Sequence, residues 1–199
     1  MRFSVVIIVL ILISCNKPKE ADAIPEKPIE HIVAPDILQA FPEGQRSFAS
    51  SADYYSDKNF IVDETGKIFF YGRRKYSRWV CGEDVADGSV PKPEFINLHP
   101  AEIIEIPQNS IKDFIRLNAA KKEFEWNFAI IASARDTFTS PTLDSLLTQL
   151  YKHKKALHII RRMTEEEKIV MRYKKSGEPY DPDRIEWDTT KTVFPETKK

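Results

Sequence analysis

The sequence predicts an α/β domain of the α+β kind, in which a mixed sheet carries two helices packed on one face. Three observations predict it: a β-branched and aromatic hairpin around residues 63–66, an apolar run at 128–132, and helical periodicity at 110–121 and 140–151. The 199 residues, 42% hydrophobic and 30% charged, have room for one globular domain. A sheet face is the simplest surface that buries both helical stripes.

Three strands are predicted before the first helix. The runs at residues 59–63 and 67–71 are rich in β-branched and aromatic residues, and Gly66 between them supplies the positive φ of a hairpin turn. A third strand is predicted at residues 102–106 because isoleucine and glutamate alternate there. Pro107 is expected to end this strand.

Both helices are predicted from a capping signal followed by apolar spacing. Ser110 and Asp113 match a capping box, and this helix is expected to run to about Lys121. Ser140 is a good cap for the second helix, and Pro141 suits its first position. The apolar residues that follow recur at the i, i+3, i+4, i+7 and i+8 positions: Leu143, Leu146, Leu147, Leu150 and Tyr151.

The remaining strands follow the first helix. Residues 128–132 are apolar without interruption, which predicts a central strand buried on both faces. Residues 157–160 and 169–173 are predicted as further strands, and the charged run at 161–167 as a hydrated turn between them. The predicted order is therefore β-β-β-α-β-α-β-β.

The amino-terminal residues predict a secretory signal. Arg2 is a minimal positive region, residues 3–13 are apolar except for one serine, and the run is too short for the ~20 residues that span a membrane. It ends in a tetrad that resembles the lipobox of bacterial lipoproteins, Leu12-Ile13-Ser14-Cys15. The resemblance implies that residues 1–14 are removed and that Cys15 carries a diacylglycerol, which gives stable anchoring. The alternative is a conventional signal peptide that ends near a cysteine.

The anchor is followed by a tether. Asn16, second in the mature chain, is not the aspartate that retains enterobacterial lipoproteins at the inner membrane, so the resemblance implies the outer membrane, with the domain facing the periplasm or the cell surface. Residues 15–52 are predicted to be the lipid anchor and an extended tether, because prolines recur too closely for regular structure. The folded domain is assigned to residues 53–176, and residues 177–199 to a charged, irregular tail.

Several features of the predicted domain resemble one known family. The hairpin at residues 59–68 carries an Asp-x-x-Gly-Lys turn, a helix is predicted at 111–118, and the strand at 128–136 ends in Ser-Ala-Arg-Asp before a second helix. Together they resemble the periplasmic domain of the ExbD and TolR family, the small partners of proton-driven envelope motors. The similarity covers residues 58–164, and the insertion at 71–98 has no counterpart in that family.

The resemblance implies an envelope role without proton conduction. Family members have an N-terminal transmembrane helix with an aspartate, whereas the leader of this chain has no acidic residue and is expected to be cleaved. What the resemblance carries over is the periplasmic work of such domains. This chain is therefore expected to form a homodimer and to contact peptidoglycan or another envelope protein.

A cluster of cations and aromatic rings is the first candidate binding surface. We name residues 73–79 the basic-aromatic segment, in which the candidate residues are Arg73, Arg74, Tyr76, Arg78 and Trp79. Arginine pairs with carboxylates and aromatic rings stack on sugars and cations, so the segment suits an anionic glycan, a lipid head group or a partner's carboxylate. The alternative is a solvated strand or loop whose rings fold under it.

A second candidate site follows the predicted central strand. Ser133, Arg135 and Asp136 lie where α/β proteins bind ligands, which suggests a polar pocket. The alternative is that Arg135 and Asp136 stabilise the following loop and helix. Two hypotheses about function follow: a non-enzymatic, membrane-tethered binding module, or a lipid-anchored enzyme with a pocket near Ser133 and Asp136.

Composition and motifs narrow the function classes. Lys plus Arg and Asp plus Glu are equal at 30 each, which argues against a nucleic-acid partner. No nucleophile elbow, phosphate loop or dinucleotide fingerprint occurs in the sequence, so we assign no catalytic residue and no cofactor. The four histidines show no metal-ligand spacing, and no metal site is assigned. Cys81 has no partner once Cys15 carries lipid, and is expected to be buried or paired between chains.

Overall fold

The computed structural model describes residues 29–34, 54–72, 92–119, 128–154 and 157–195. Within these ranges it contains strands and α-helices in the following order: β1 (Glu30–Ile32), β2 (Asn59–Val62), β3 (Ile68–Tyr71), β4 (Ile104–Ile106), α1 (Ile111–Ala119), β5 (Phe128–Ser133), β6 (Thr137–Thr139), α2 (Pro141–Lys154), β7 (Leu157–Arg162) and α3 (Glu165–Ser176). Short 3-10 helices lie at Pro100–Glu102, Gln108–Ser110 and Pro182–Arg184.

The main sheet has five strands in the order β4-β3-β2-β5-β7. The β2–β3 and β3–β4 pairs are antiparallel, whereas β5 is parallel to both β2 and β7. The predicted mixed sheet of an α+β domain is therefore confirmed. Ala129, Ile130 and Ile131 of β5 are fully buried, which confirms the predicted central strand.

Helices cover both faces of this sheet. On one face, Phe60 and Ile131 pack with Ile111 of α1 and Leu143 of α2, which confirms the two helices on one face. On the other face, alternate residues of the same strands, such as Ile61, pack with residues of α3. The third helix gives the sheet a second buried face, whereas the sequence predicted helices on one face only.

Local signals explain the hairpin and α2. Gly66 has a φ of 82°, and Asp63 Oδ1 accepts backbone hydrogen bonds from Thr65 and Lys67, so the predicted turn is confirmed. Ser140 Oγ accepts a hydrogen bond from the Leu143 amide at 3.1 Å, which confirms the predicted cap.

Two details of the helix predictions are wrong. Ser110 lies in a 3-10 helix, and its hydroxyl donates to Asn109 instead of capping α1. The apolar stripe of α2 ends at Leu150, because Tyr151 is 69% exposed. The strand predicted at residues 102–106 begins only at Ile104, since a 3-10 helix takes up the preceding residues.

The strand predicted at residues 169–173 is wrong, because these residues lie inside α3. The Thr164 side chain accepts from the Glu167 amide, and the Glu167 carboxylate accepts from the Thr164 amide, which forms a capping box. Gly177, at a φ of 72°, ends the helix by donating its amide to the Tyr173 carbonyl. The capping box at the start and Gly177 at the end therefore favour a helix here, although it contains the β-branched residues Ile169 and Val170.

Segments at both chain ends pack on the domain. Strand β1 lies inside the range predicted as tether, where it pairs antiparallel with β6. Residues after Gly177 pair with the segment before β4: the Val193 amide donates to Pro93 O at 2.9 Å, and the Phe95 amide to Val193 O at 2.8 Å. Parts of the predicted tether and of the predicted tail therefore belong to the folded unit.

The two serines predicted as caps give a matched test of helix α2. Ser140→Ala removes both the bond from Leu143 and the bond that its hydroxyl donates to Gly66 O at 2.9 Å. We expect it to lower the free energy of unfolding by about 1–2 kcal/mol, and Ser110→Ala by less than about 0.5 kcal/mol. Urea unfolding followed by circular dichroism measures both, and equal losses would contradict the assignment of Ser140 as the cap.

Candidate functional site

The residues predicted as a polar pocket lie at the carboxyl end of β5 but point to different partners. Ser133 is buried, and its Oγ accepts the Arg135 amide at 3.1 Å. The Asp136 carboxylate is 72% exposed and forms an ion pair with Arg162 of β7. The structure thus brings Ser133 to the backbone of the following turn and Asp136 to the neighbouring strand, and does not join their side chains.

The basic-aromatic segment lies outside the described residues, as do Cys15 and Cys81, so the predictions for them stay predictions. Its point of attachment is described: Gly72 precedes it and follows Tyr71, the last residue of β3. Tyr71 pairs with Asn59, the first residue of β2, and β2 runs parallel to β5. The segment therefore begins at the amino ends of the parallel strands.

The charged run predicted as a hydrated turn contains a buried ion pair, so that prediction is wrong. Arg161 of β7 and Glu167 of α3 are each 1% exposed, with N–O distances of 2.7 and 3.0 Å. Glu167 also accepts from the Tyr71 hydroxyl at 2.6 Å, and Arg161 donates two bonds to the Tyr54 carbonyl at 2.6 and 3.0 Å. A buried pair with this many partners joins two strands, a helix and the segment before β2.

The rings of two tyrosines lie next to the guanidinium of Arg161. Its central carbon lies 5.8 Å from the Tyr54 ring centroid and 5.6 Å from that of Tyr55, within cation–π range. Burial, reinforced by the Glu167 charge, raises the pKa of the Tyr55 and Tyr71 hydroxyls well above the ordinary value. Burial lowers the pKa of Arg161, but Glu167 more than offsets this effect and the net shift is upward. The two hydroxyls and the guanidinium therefore keep their protons near neutral pH, and their hydrogen bonds hold this part of the fold together.

The neighbouring Glu166 serves a different contact. Its carboxylate is 1% exposed and accepts the Ile96 amide at 2.9 Å and the Leu98 amide at 2.6 Å. Asn97 between them has a φ of 53°, a left-handed conformation that lets both amides face one carboxylate. Burial and the Glu166 charge raise the pKa of the adjacent Tyr180 to about 12. Glu166 therefore fixes the segment before β4 onto the start of α3.

His31 holds β1 in its docked position, and His158 lies near enough to feel its charge. His31 Nε2 lies 2.8 Å from Asp144 Oδ1 in the first turn of α2, and its ring lies 5.3 Å from the Phe138 ring of β6. Burial and the proximity of His31 lower the pKa of His158 on β7. His31 and His158 are far apart in sequence, with no spacing that indicates a contact. Asp144, one turn into a predicted helix, was the only local signal for this contact.

A small depression lies at the amino end of the sheet. It has room for about 10 Å³, roughly one water molecule. Contacts between aromatic rings keep the depression small. The ring centroid of Phe70 lies 5.3 Å from that of Phe60 and 5.0 Å from that of Phe114. This space is too small for a substrate and is best described as an imperfection of the core next to α1.

Adjacent glutamates in the first turn of α3 give a matched pair of variants. Glu166→Ala leaves the buried amide of Leu98 and the partly buried amide of Ile96 without their acceptor, so we expect the free energy of unfolding to fall by roughly 2–4 kcal/mol. Glu165→Ala removes only a more exposed charge at the helix start, for a loss below about 1 kcal/mol. Urea unfolding measures both, and amide exchange at Ile96 and Leu98 should accelerate only in Glu166→Ala. Unaltered exchange there would refute the contact.

The chain was compared with protein-family models, curated proteins and solved structures. No protein-family model, no curated protein and no solved structure matches it. Over the described ranges, His, Cys, Asp and Glu side chains form no group of three or more that could hold a metal ion. In the same part of the chain, none of the helices combines the length and apolar character needed to cross a membrane.

Proposed function

We propose that this protein is a lipid-anchored binding or interaction module of the cell envelope, held by diacylglycerol on Cys15 and binding its partner through the basic-aromatic segment. The observation that carries the proposal is the position of two attachment points at opposite ends of the sheet. The described strand nearest to Cys15 docks at one end of the sheet, and the basic-aromatic segment begins at the other.

The anchor side is set by β1. Its partner β6 directly follows the turn at the carboxyl end of β5, and the Val33 amide donates to Asp136 O at 2.9 Å in that turn. Ala34 then pairs with Arg161 near the carboxyl end of β7. The described residues closest in sequence to Cys15 thus lie at the carboxyl ends of the parallel strands.

The partner side is set by Gly72. It follows the pairing of Tyr71 with Asn59, at the amino ends of the parallel strands. Strand β5 has six residues and spans about 20 Å, so the two attachment points are separated by the length of the sheet. This separation favours a module that is held at one end and binds at the other.

The hydrogen bonding of the buried charges also supports a binding role over an enzymatic one. Arg161, Glu166 and Glu167 are all satisfied by groups of the same domain. An enzyme site near Ser133 and Asp136 would need convergent polar groups, whereas these two side chains have separate partners. From the resemblance to the ExbD and TolR family, the proposed partners are peptidoglycan or an envelope protein. From the resemblance to lipoproteins and the presence of Asn16 after Cys15, the proposed location is the outer membrane.

The test captures partners with wild-type protein and variants. We expect Arg74→Glu and Trp79→Ala to reduce capture of purified peptidoglycan or of envelope proteins about tenfold or more, because arginine and tryptophan dominate such contacts. Arg184→Glu, at an arginine that is 87% exposed and outside both candidate sites, is the matched control and should bind as wild type does. Unchanged capture by the first two variants would remove the segment as the binding surface.

The anchor is tested on the same preparation. Mass spectrometry of the native protein should find residues 1–14 removed and acyl groups on Cys15, and Cys15→Ser should release the protein from membranes. A retained leader or an unmodified thiol would contradict the anchoring half of the proposal, whatever the capture experiment shows.

A further inference from the structure

We propose that β1 is a releasable strap, which sets how far the domain stands from the membrane by docking on β6 or leaving it. The inference rests on the proposed lipid anchor, because only a chain fixed at Cys15 has its reach changed by the strap. It goes beyond anchoring because it gives the domain two positions, one near the membrane and one far from it.

The strap is held by contacts on one side only. His31 and Val33 point inward and are buried: His31 pairs with Asp144 at 2.8 Å, and Val33 joins the core that contains Phe138. Ile32 between them is 77% exposed, and Ile29 at the strand entrance is 54% exposed. Two inward side chains therefore hold the strap, in the alternation expected of an added strand.

The pairing is also short. Three residues of β1 face three of β6 in a two-stranded sheet, separate from the five-stranded one. Beyond it, the strap makes single backbone bonds from Val33 to Asp136 O and from Ala34 to Ile160 O, at 2.9 and 3.3 Å. Two-stranded sheets are marginally stable alone, and elements with few buried contacts open well before the whole domain unfolds.

Release changes the reach of the anchor. With β1 docked, the chain between lipid and domain is residues 15–29, whose fifteen residues extend at most about 50 Å. With β1 free, the next described residue is Tyr54, and the 39 residues from 15 to 53 set an upper limit of about 130 Å on the reach. The docked strap thus limits the domain to the shorter of the two distances from the membrane.

Two variants set the strap in opposite states. Ile32→Cys with Thr137→Cys joins directly opposed residues of β1 and β6, whose antiparallel pairing suits a disulfide, in a Cys81→Ser background. Val33→Ser places a hydroxyl in the buried position and favours release. Ile32→Ser, at the exposed neighbouring position, is the matched control for Val33→Ser.

Hydrogen exchange on the full-length protein is the first readout and needs no membrane. We expect the Val33 amide to exchange at least about a hundredfold faster than that of Ile130 in β5, and Val33→Ser to accelerate it about tenfold further while Ile130 is unchanged. Ile32→Ser should match wild type. Exchange of Val33 at the rate of Ile130 would mean that the strap opens only on global unfolding and would overturn the proposal.

Distance from a bilayer is the second readout. Energy transfer from a dye on the domain to a lipid dye in vesicles should be higher for the disulfide-locked protein than for Val33→Ser. Reduction of the disulfide should lower the transfer to the value of the unlocked protein. Equal transfer in both variants overturns the strap, provided that mass spectrometry shows acylated Cys15 in both samples. A sample without acyl groups contradicts the anchor instead, so the two failures are distinguishable.

Discussion

The ion pair between Arg161 and Glu167 is the interaction on which one whole side of the molecule depends. Burying either charge alone would cost several kcal/mol, about the stability of a small domain, so the pair forms only with its partners in place. Those partners are the Tyr54 carbonyl, the Tyr71 hydroxyl and the Thr164 amide, which come from three separate parts of the chain. Strand β7, helix α3, the end of β3 and the segment before β2 must therefore assemble together.

Other contacts on this face follow from that assembly. Once α3 is positioned, Glu166 in the same turn binds the amides of Ile96 and Leu98, and the segment before β4 is fixed. That segment in turn pairs with Val193 near the carboxyl terminus. The opposite face is built differently, from apolar side chains of α1 and α2. One face thus relies on hydrophobic burial and the other combines burial with a polar network, and the network adds geometric specificity.

The sequence was sufficient where the signals were local and strong. Gly66 predicted the hairpin turn, the apolar run predicted β5, and Ser140 with Pro141 predicted the start of α2. Helix α3 was missed although Thr164 and Glu167 have capping-box spacing, because a charged run is usually solvated and the burying partner, Tyr54, is 107 residues from Arg161 in sequence. Strand β1 was missed for the same reason, since its partner β6 is remote. For the candidate site, position on the fold was predictable at Ser133 and Asp136, but the pairing of Asp136 with Arg162 was not.

A double-mutant cycle on Arg161 and Glu167 tests the central claim most directly. Urea unfolding of Arg161→Met, Glu167→Leu and the double variant gives the coupling between the two side chains. The account predicts that each single change costs about 3–5 kcal/mol, because it strands the other charge, and that the double variant loses clearly less than the sum. Single losses below about 1 kcal/mol with additive effects, as expected for an exposed pair such as Arg116 with Asp113, would contradict it.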